Sequence, residues 1–70
     1  MNLPNLRAEI ARAGVSYRAL AKQMGLSEQA FCNKTAGRTE FKNSEIKILA
    51  RELNLSMSAI NEIFFDGDVN

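Results

Sequence analysis

Two side-chain amides, Gln29 and Asn33, lie four residues apart, so a helix would present both of them on one face. Each amide offers one hydrogen-bond acceptor and two donors, a combination that suits the N6 and N7 edge of adenine in a DNA groove. Glu28 only accepts hydrogen bonds when ionised, and it could take one from cytosine or simply complement the positive end of its helix. Ser27 could cap that helix and also contact a phosphate or a base. Solvated surface side chains are the alternative, but the clustering favours a base-reading set: Ser27, Glu28, Gln29 and Asn33.

Cationic side chains surround this stretch. Residues 1–42 hold seven lysines and arginines against three glutamates, a net charge of +4, whereas residues 43–70 hold two against five acidic residues, a net of −3. A basic part of this kind suits a polyanion, although scattered charges also serve simply to solvate a small protein. The residues expected at phosphates lie at helix starts and in the loop after the amide-bearing helix: Tyr17, Arg18, Lys22, Lys34, Arg38 and Lys42. Four other cations are expected to be solvated: Arg7, Arg12, Lys47 and Arg51.

The sequence offers few groups for catalysis. It contains no histidine and one cysteine, Cys32, which has no base beside it in the sequence. One cysteine and scattered carboxylates do not form a metal site, and no glycine-rich phosphate loop is present. We therefore predict no enzymatic activity, no cofactor and no metal. The single cysteine excludes an internal disulfide, and no apolar run approaches the ~18 residues of a membrane span, so we expect a cytoplasmic protein without a membrane partner.

The elements that must position the amides are two short helices joined by a tight turn at Gly25. Ser16 and Ser27 stand where N-caps are needed, and each follows an apolar residue and precedes another by four positions, which is the hydrophobic-staple pattern. Ala21 is small where crossing helices would approach, and Phe31 would anchor the second helix in the core. This spacing predicts a helix-turn-helix with helices at about 16–24 and 27–35, the second free to enter a DNA groove.

The remaining chain predicts three further helices. The first carries a stripe of Leu3, Leu6, Ile10 and Ala13 and ends near Gly14. The fourth begins near Asn43, and the fifth follows a third staple at residues 55–60. With no alternating pattern, we predict an all-α, compact five-helix fold as a single domain, 1–70, with a short polar and frayed tail at 66–70.

Several of these residues match a known family. The run Ala21-x-x-Met24-Gly25-Leu26-Ser27-x-x-x-Phe31 resembles the helix-turn-helix core of the phage Cro and lambda-type repressor family. The segments 36–38 and 60–65 are similar to small Gram-positive prophage regulators, so the resemblance covers roughly residues 3–65. It implies a lambda-repressor-like domain that binds operator DNA overlapping a promoter and represses transcription as a Cro-type prophage regulator, with no cofactor.

One short recognition helix reads only a few base pairs, so we expect a homodimer at least on DNA. Three apolar residues exceed what one stripe per helix requires, and exposed apolar clusters often mark interfaces. They are also able to complete the small core. These dimer candidates are Ile48, Phe64 and Phe65. The alternative function is a protein-interaction module of the same fold, an antirepressor or antitoxin-like protein that binds a partner such as a repressor through its C-terminal part.

Overall fold

Five helices follow one another along residues 1–65, the part of the chain that the structure, a computed structural model, describes. They are α1 (Leu3–Ala13), α2 (Tyr17–Met24), α3 (Glu28–Thr35), α4 (Asn43–Glu52) and α5 (Met57–Ile60). A π-helical segment, Asn61–Phe65, continues α5 without a break. The all-α, five-helix prediction is confirmed, whereas the predicted polar tail at 66–70 lies outside the described residues. None of these helices is both long and apolar enough to cross a membrane.

Three of the four connections between helices share one three-residue design. Each contains, in succession, a residue with a left-handed backbone, an apolar residue and a serine: Gly14-Val15-Ser16, Gly25-Leu26-Ser27 and Asn54-Leu55-Ser56. The first residues have φ of 72°, 72° and 53°, values that glycine and, less freely, asparagine adopt at helix C-termini. Each serine Oγ accepts a hydrogen bond from the amide three residues later, at 3.0 or 3.1 Å. The predicted caps at Ser16 and Ser27 are therefore confirmed.

The turn at Gly25 ends α2, and α3 begins three residues later, at Glu28. The Leu26 amide donates to the Ala21 carbonyl at 2.9 Å and the Gly25 amide to the Lys22 carbonyl at 3.1 Å, which is the Schellman pattern. Leu26 then packs against the core as the residue before the Ser27 cap. One apolar side chain thus closes one helix and opens the next, so the two helices are held at a fixed mutual orientation.

Helices α1 to α4 and the π-helical segment each contribute one large, fully buried side chain to the core. The five are Leu6, Leu20, Phe31, Leu49 and Ile63. Phe31 is the predicted anchor of α3, and Ala21, 2% exposed, lies in the core where α2 and α3 pack together. Aromatic rings extend this core in edge-to-face contacts: Tyr17 on Phe31 at 5.2 Å, Phe31 on Phe41 at 6.0 Å and Phe41 on Phe64 at 6.0 Å between centroids.

Two apolar predictions are corrected by this packing. Phe64, a dimer candidate from the sequence, is 6% exposed and belongs to the core, because the π-helical turn directs Ile63 and Phe64 inward together. Ala13 is exposed at the last turn of α1, where the helix has passed beyond the core. The apolar pattern alone does not reveal burial, since an exposed alanine and a buried phenylalanine both fit a helical stripe.

Two long-range hydrogen bonds tie α1 to the rest of the fold. The Asn2 amide donates to the Ile63 carbonyl at 2.6 Å. Arg7, expected to be solvated, instead donates from Nη1 to the Thr35 carbonyl at 2.8 Å, at the last turn of α3. The Thr35 hydroxyl, almost fully buried, donates to the Cys32 carbonyl at 2.9 Å. A cation at a helix C-terminus stabilises its unpaired carbonyls, so α1 fixes the end of the helix that carries the amides.

The left-handed residue at the α2–α3 turn is open to a direct stability test. Gly25→Val should lower the free energy of unfolding by about 1–2 kcal/mol, because a Cβ is disfavoured at φ 72°. A Cβ at this position would meet no other atom within 4 Å, so the effect is one of backbone conformation. Gly25→Asn is the matched control, since Asn54 already adopts φ 53° at the equivalent place. Urea denaturation followed by circular dichroism measures both, and a valine variant as stable as the parent would contradict the turn assignment.

Candidate nucleic-acid interface

The outward face of α3 carries the two amides that the sequence singled out. Gln29 is exposed and Asn33 is half-buried, and both lie about 160° around the helix from the buried Phe31. Gln29 Nε2 donates a hydrogen bond to Asn33 Oδ1 at 3.2 Å. The two side chains therefore form one hydrogen-bonded pair on the surface, and the predicted proximity of Gln29 and Asn33 is confirmed.

Arg38 joins this pair from the loop that follows α3. The loop begins with a second Schellman turn, in which the Arg38 amide donates to the Asn33 carbonyl at 2.9 Å and Gly37 adopts φ 87°. This turn brings the Arg38 side chain back over the helix, where Nη1 donates to Asn33 Oδ1 at 3.3 Å. The sequence placed Arg38 only among the phosphate contacts, and it contained no signal for a bond to Asn33.

The first turn of α3 presents Ser27 and Glu28 beside the amide pair. Ser27 is exposed, and its Oγ accepts the Ala30 amide at 3.0 Å, so the capping role is filled. Glu28 is exposed as the first residue of the helix, about 100° from Gln29. An acidic residue in the first turn complements the positive helix end, which agrees with the second of the two roles considered for it.

Three of the predicted phosphate contacts are free cations on the surface. Arg18 and Lys22 are exposed on α2, and Lys42 is exposed at the start of α4. None of the three side chains has a hydrogen-bond or ion-pair partner within residues 1–65. Tyr17 differs from them because its ring is half-buried against Phe31. Its structural part in the core was not foreseen from its position at a helix start.

Lys34 has partners within the domain, and the phosphate contact predicted for it stays a prediction. Its side chain is only 11% exposed, and Nζ lies 3.1 Å from Glu45 Oε1, donates to the Glu40 carbonyl at 2.7 Å and stands 5.9 Å from the centre of the Phe41 ring. Glu45 Oε1 also accepts the Lys42 amide at 2.8 Å at the start of α4. Burying a carboxylate requires such partners. The ion pair therefore joins the end of α3 to the start of α4, and two of the three Nζ donors are engaged within the domain.

The dimer candidates do not form one surface. Phe65 is 51% exposed and borders an open groove of about 430 Å³ between α4 and the last helical turns. Ile48 is half-buried and lies about 160° around α4 from Ala50, which lines that groove. With Phe64 in the core, Phe65 is the candidate that remains at this groove. Its lining residues are Asn43, Ile46, Lys47, Ala50, Ile60 and Phe65.

Within the described residues, no group of three histidine, cysteine, aspartate or glutamate side chains is arranged to hold a metal ion. The thiol of Cys32 is free and half-buried on α3. The geometry thus defines a small helical domain whose distinctive surface is a neutral amide pair with an arginine beside it. The chain belongs to the family described as a protein of unknown function, DUF739, whose profile matches residues 5–67. No curated protein and no solved structure matches the chain significantly.

The structural assignment of Lys34 predicts a large loss of stability when its charge is removed. Lys34→Met should lower the free energy of unfolding by roughly 3 kcal/mol, the lower end for breaking a buried ion pair, because Glu45 keeps only its bond to the Lys42 amide. The exposed Lys42→Met is the control and should cost less than about 0.5 kcal/mol.

Chemical denaturation of these variants and of the double variant Lys34→Met/Glu45→Gln measures how much the ion pair itself contributes to the free energy of unfolding. The double variant should recover part of the loss, because neither charge is left buried alone. A single Lys34→Met variant as stable as the parent would mean that the ammonium is free for another partner.

Proposed function

We propose that this protein binds double-stranded DNA in a sequence-specific manner and regulates transcription, with α3 as the recognition helix. The observation that carries this proposal is the hydrogen-bonded pair of Gln29 and Asn33 on the outward face of α3. Surface amides of this kind are well suited to base edges, because each combines a donor and an acceptor in one plane. The pair has no part in the core, and Ser27 and Phe31 fix the helix on which it stands.

The hydrogen bond within the pair leaves Gln29 a complete adenine-binding group. Its Nε2 uses one hydrogen for Asn33 Oδ1, so the second hydrogen and Oε1 remain available. An amide with one free donor and one free acceptor matches N7 and the N6 amino group of adenine. Gln29 is exposed and stands in the first turns of α3, which is the part of a recognition helix that meets the bases in a helix-turn-helix complex.

Charge supplies the affinity that base contacts alone do not. The free cations Arg18, Lys22 and Lys42 come from α2 and from the start of α4, the two elements on either side of α3 in the chain. Lysine and arginine at phosphates release counterions and orient the protein on the duplex. The excess of cations in residues 1–42 supports this placement, since those residues include α2, α3 and the loop that follows.

The regulatory role rests on the resemblance to Cro-type regulators. A Cro-type regulator acts by occupying its operator and excluding other proteins from an overlapping promoter, as a prophage repressor does. Such a role needs neither a cofactor nor an enzymatic site, and it places the protein in the cytoplasm with the DNA. Two half-sites one helical turn apart would require two copies. The exposed Phe65 and the adjoining groove are the surface through which we propose that the copies associate.

The same groove supports the alternative, a module that binds another protein. Phe65 and Met57 are 51% and 76% exposed, and an apolar side chain beside an apolar groove suits a protein partner. An antirepressor or antitoxin-like protein would use this surface and leave the α3 amides without a ligand. DNA binding is favoured because the amide pair lies on α3, and the free cations Arg18 and Lys22 lie on α2, neither of which lines the groove.

Sequence-specific binding predicts different consequences for an amide and for a cation. Gln29→Ala should cost about 1–3 kcal/mol on the preferred operator and little on scrambled duplex, since a lost base contact is sequence-dependent. Lys22→Ala should weaken binding to both duplexes and make the salt dependence shallower by about one unit per protomer, because fewer counterions are released. The operator is obtained by selection from a random duplex pool, followed by titrations at several salt concentrations.

Circular dichroism controls for folding, since both side chains are exposed. Equal losses on the two duplexes for Gln29→Ala would remove it as a base reader. If the parent selects no sequence and neither variant changes binding, the protein-interaction module replaces the DNA-binding proposal.

Self-association through the groove predicts that Phe65→Ser gives a folded monomer. The substitution removes an exposed apolar side chain and leaves the core intact, so helicity should be unchanged while the sedimentation coefficient falls to that of one chain. Met57→Ser is the matched control, because Met57 is more exposed yet does not line the groove. A dimer that persists in Phe65→Ser, or dissociates only in Met57→Ser, would place the contact elsewhere.

A further inference from the structure

We propose that Arg38 is a positioning residue that sets the polarity of the Gln29–Asn33 pair and thereby determines which bases the two amides accept. The proposal rests on the DNA-binding function above. It assigns to Arg38 a part in specificity, whereas the sequence indicated only charge. It also names a base preference for Asn33, which differs from the adenine preference of a free amide.

The side chain of Arg38 can donate hydrogen bonds but cannot accept them. A guanidinium carries five N–H donors and no acceptor, so the Asn33 atom that faces Arg38 Nη1 at 3.3 Å has to be the oxygen Oδ1. An asparagine turned over by 180° would place its NH2 group against the guanidinium, donor against donor. The Asn33 amide is therefore held in one of its two orientations, with Nδ2 directed away from Arg38.

The fixed orientation of the Asn33 amide in turn fixes the orientation of the Gln29 amide. Because Asn33 presents Oδ1 to its neighbours, Gln29 has to approach with Nε2, as it does at 3.2 Å. The Gln29 oxygen is then left free. Without Arg38 the pair is reversible, since Asn33 Nδ2 donating to Gln29 Oε1 is an equally good hydrogen bond. One arginine thus removes the two-fold ambiguity of both amides.

The fixed polarity gives the two residues different ligands. Asn33 has Oδ1 occupied by two donors and keeps only its Nδ2 hydrogens, so it selects a base edge that carries acceptors. In the major groove, guanine offers N7 and O6, thymine offers O4, and cytosine offers only an amino donor. Asn33 is thus expected to favour guanine and to reject cytosine, while Gln29, with one donor and one acceptor free, keeps its match to adenine.

The backbone reinforces this arrangement. The Arg38 amide donates to the Asn33 carbonyl at 2.9 Å within the turn formed by Gly37 at φ 87°. The arginine is therefore attached at both its main chain and its side chain to the residue that it orients. Arg18, Lys22 and Lys42 have no comparable bond to α3 among residues 1–65, so Arg38 differs from the other exposed cations in its connection to the recognition face.

The experiment compares base preferences of the parent with those of Arg38→Ala, Asn33→Ala and Gln29→Ala, each selected from the same random duplex pool. The two amide variants identify the base positions that each residue reads. Arg38→Ala should relax the preference at both positions together, with discrimination falling about five- to a hundredfold, the range for a good base contact. Arg18→Ala is the matched control and should weaken all duplexes while leaving the base preferences unchanged.

A double variant tests whether Arg38 acts through Asn33. In the Asn33→Ala background, Arg38→Ala should cause no further loss of discrimination at the position assigned to Asn33, because the side chain that it orients is already absent. Asn33→Asp keeps both acceptor bonds and removes the Nδ2 donors, so the guanine preference at that position should disappear.

Three results would overturn the proposal, and they are distinguishable. If Arg38→Ala lowers the affinity for every duplex equally, with a shallower salt dependence and unchanged base preferences, Arg38 is a phosphate contact and the DNA-binding function stands. If the parent itself selects no sequence, the DNA-binding function fails, and the specificity proposal fails with it. Retention of the guanine preference in Asn33→Asp would likewise show that the Nδ2 donors are not the readers.

Discussion

The fold depends on helices that stop and restart within three or four residues. A left-handed residue ends one helix, an apolar side chain anchors the corner in the core, and a serine caps the next helix. Such a corner satisfies the terminal amides and carbonyls that a helix end would otherwise leave unpaired. Because the same corner occurs three times, the relative directions of α1, α2 and α3, and of α4 and α5, follow from local chemistry. The core then needs few side chains to select one arrangement, which is an advantage in a chain of 70 residues.

The connection between α3 and α4 is the exception. Side-chain interactions around it join residues that are distant in the sequence. It is longer than the other connections and lacks a serine cap. Lys34, Glu45 and the Lys42 amide replace the cap with an ion pair and a carboxylate hydrogen bond. Arg7, on α1, donates a hydrogen bond to the Thr35 carbonyl at the last turn of α3. Charged groups thus perform here the task that the short corners perform elsewhere.

Much of this fold was predictable from sequence because its signals are local. The caps at Ser16 and Ser27, the stop at Gly25 and the anchor Phe31 each depend on residues within a few positions of one another. The roles of Lys34, Arg7 and Phe64 depend on partners far along the chain or on an irregular helical turn, which residue spacing does not encode. The placement of Gln29 and Asn33 on one face was a consequence of helical periodicity, whereas the bond from Arg38 required the geometry of the following loop.

The separation between buried and outward residues on α3 has an evolutionary consequence. Phe31 and Thr35 hold the helix in the domain, while Gln29 is exposed and bonded only to another surface side chain. Substitutions on the outward side open no cavity, so they escape the stability cost that usually restricts change in small proteins. Under the DNA-binding function proposed above, related proteins would therefore diverge in target sequence by exchanging a few side chains on α3, while the corners and the core stay the same.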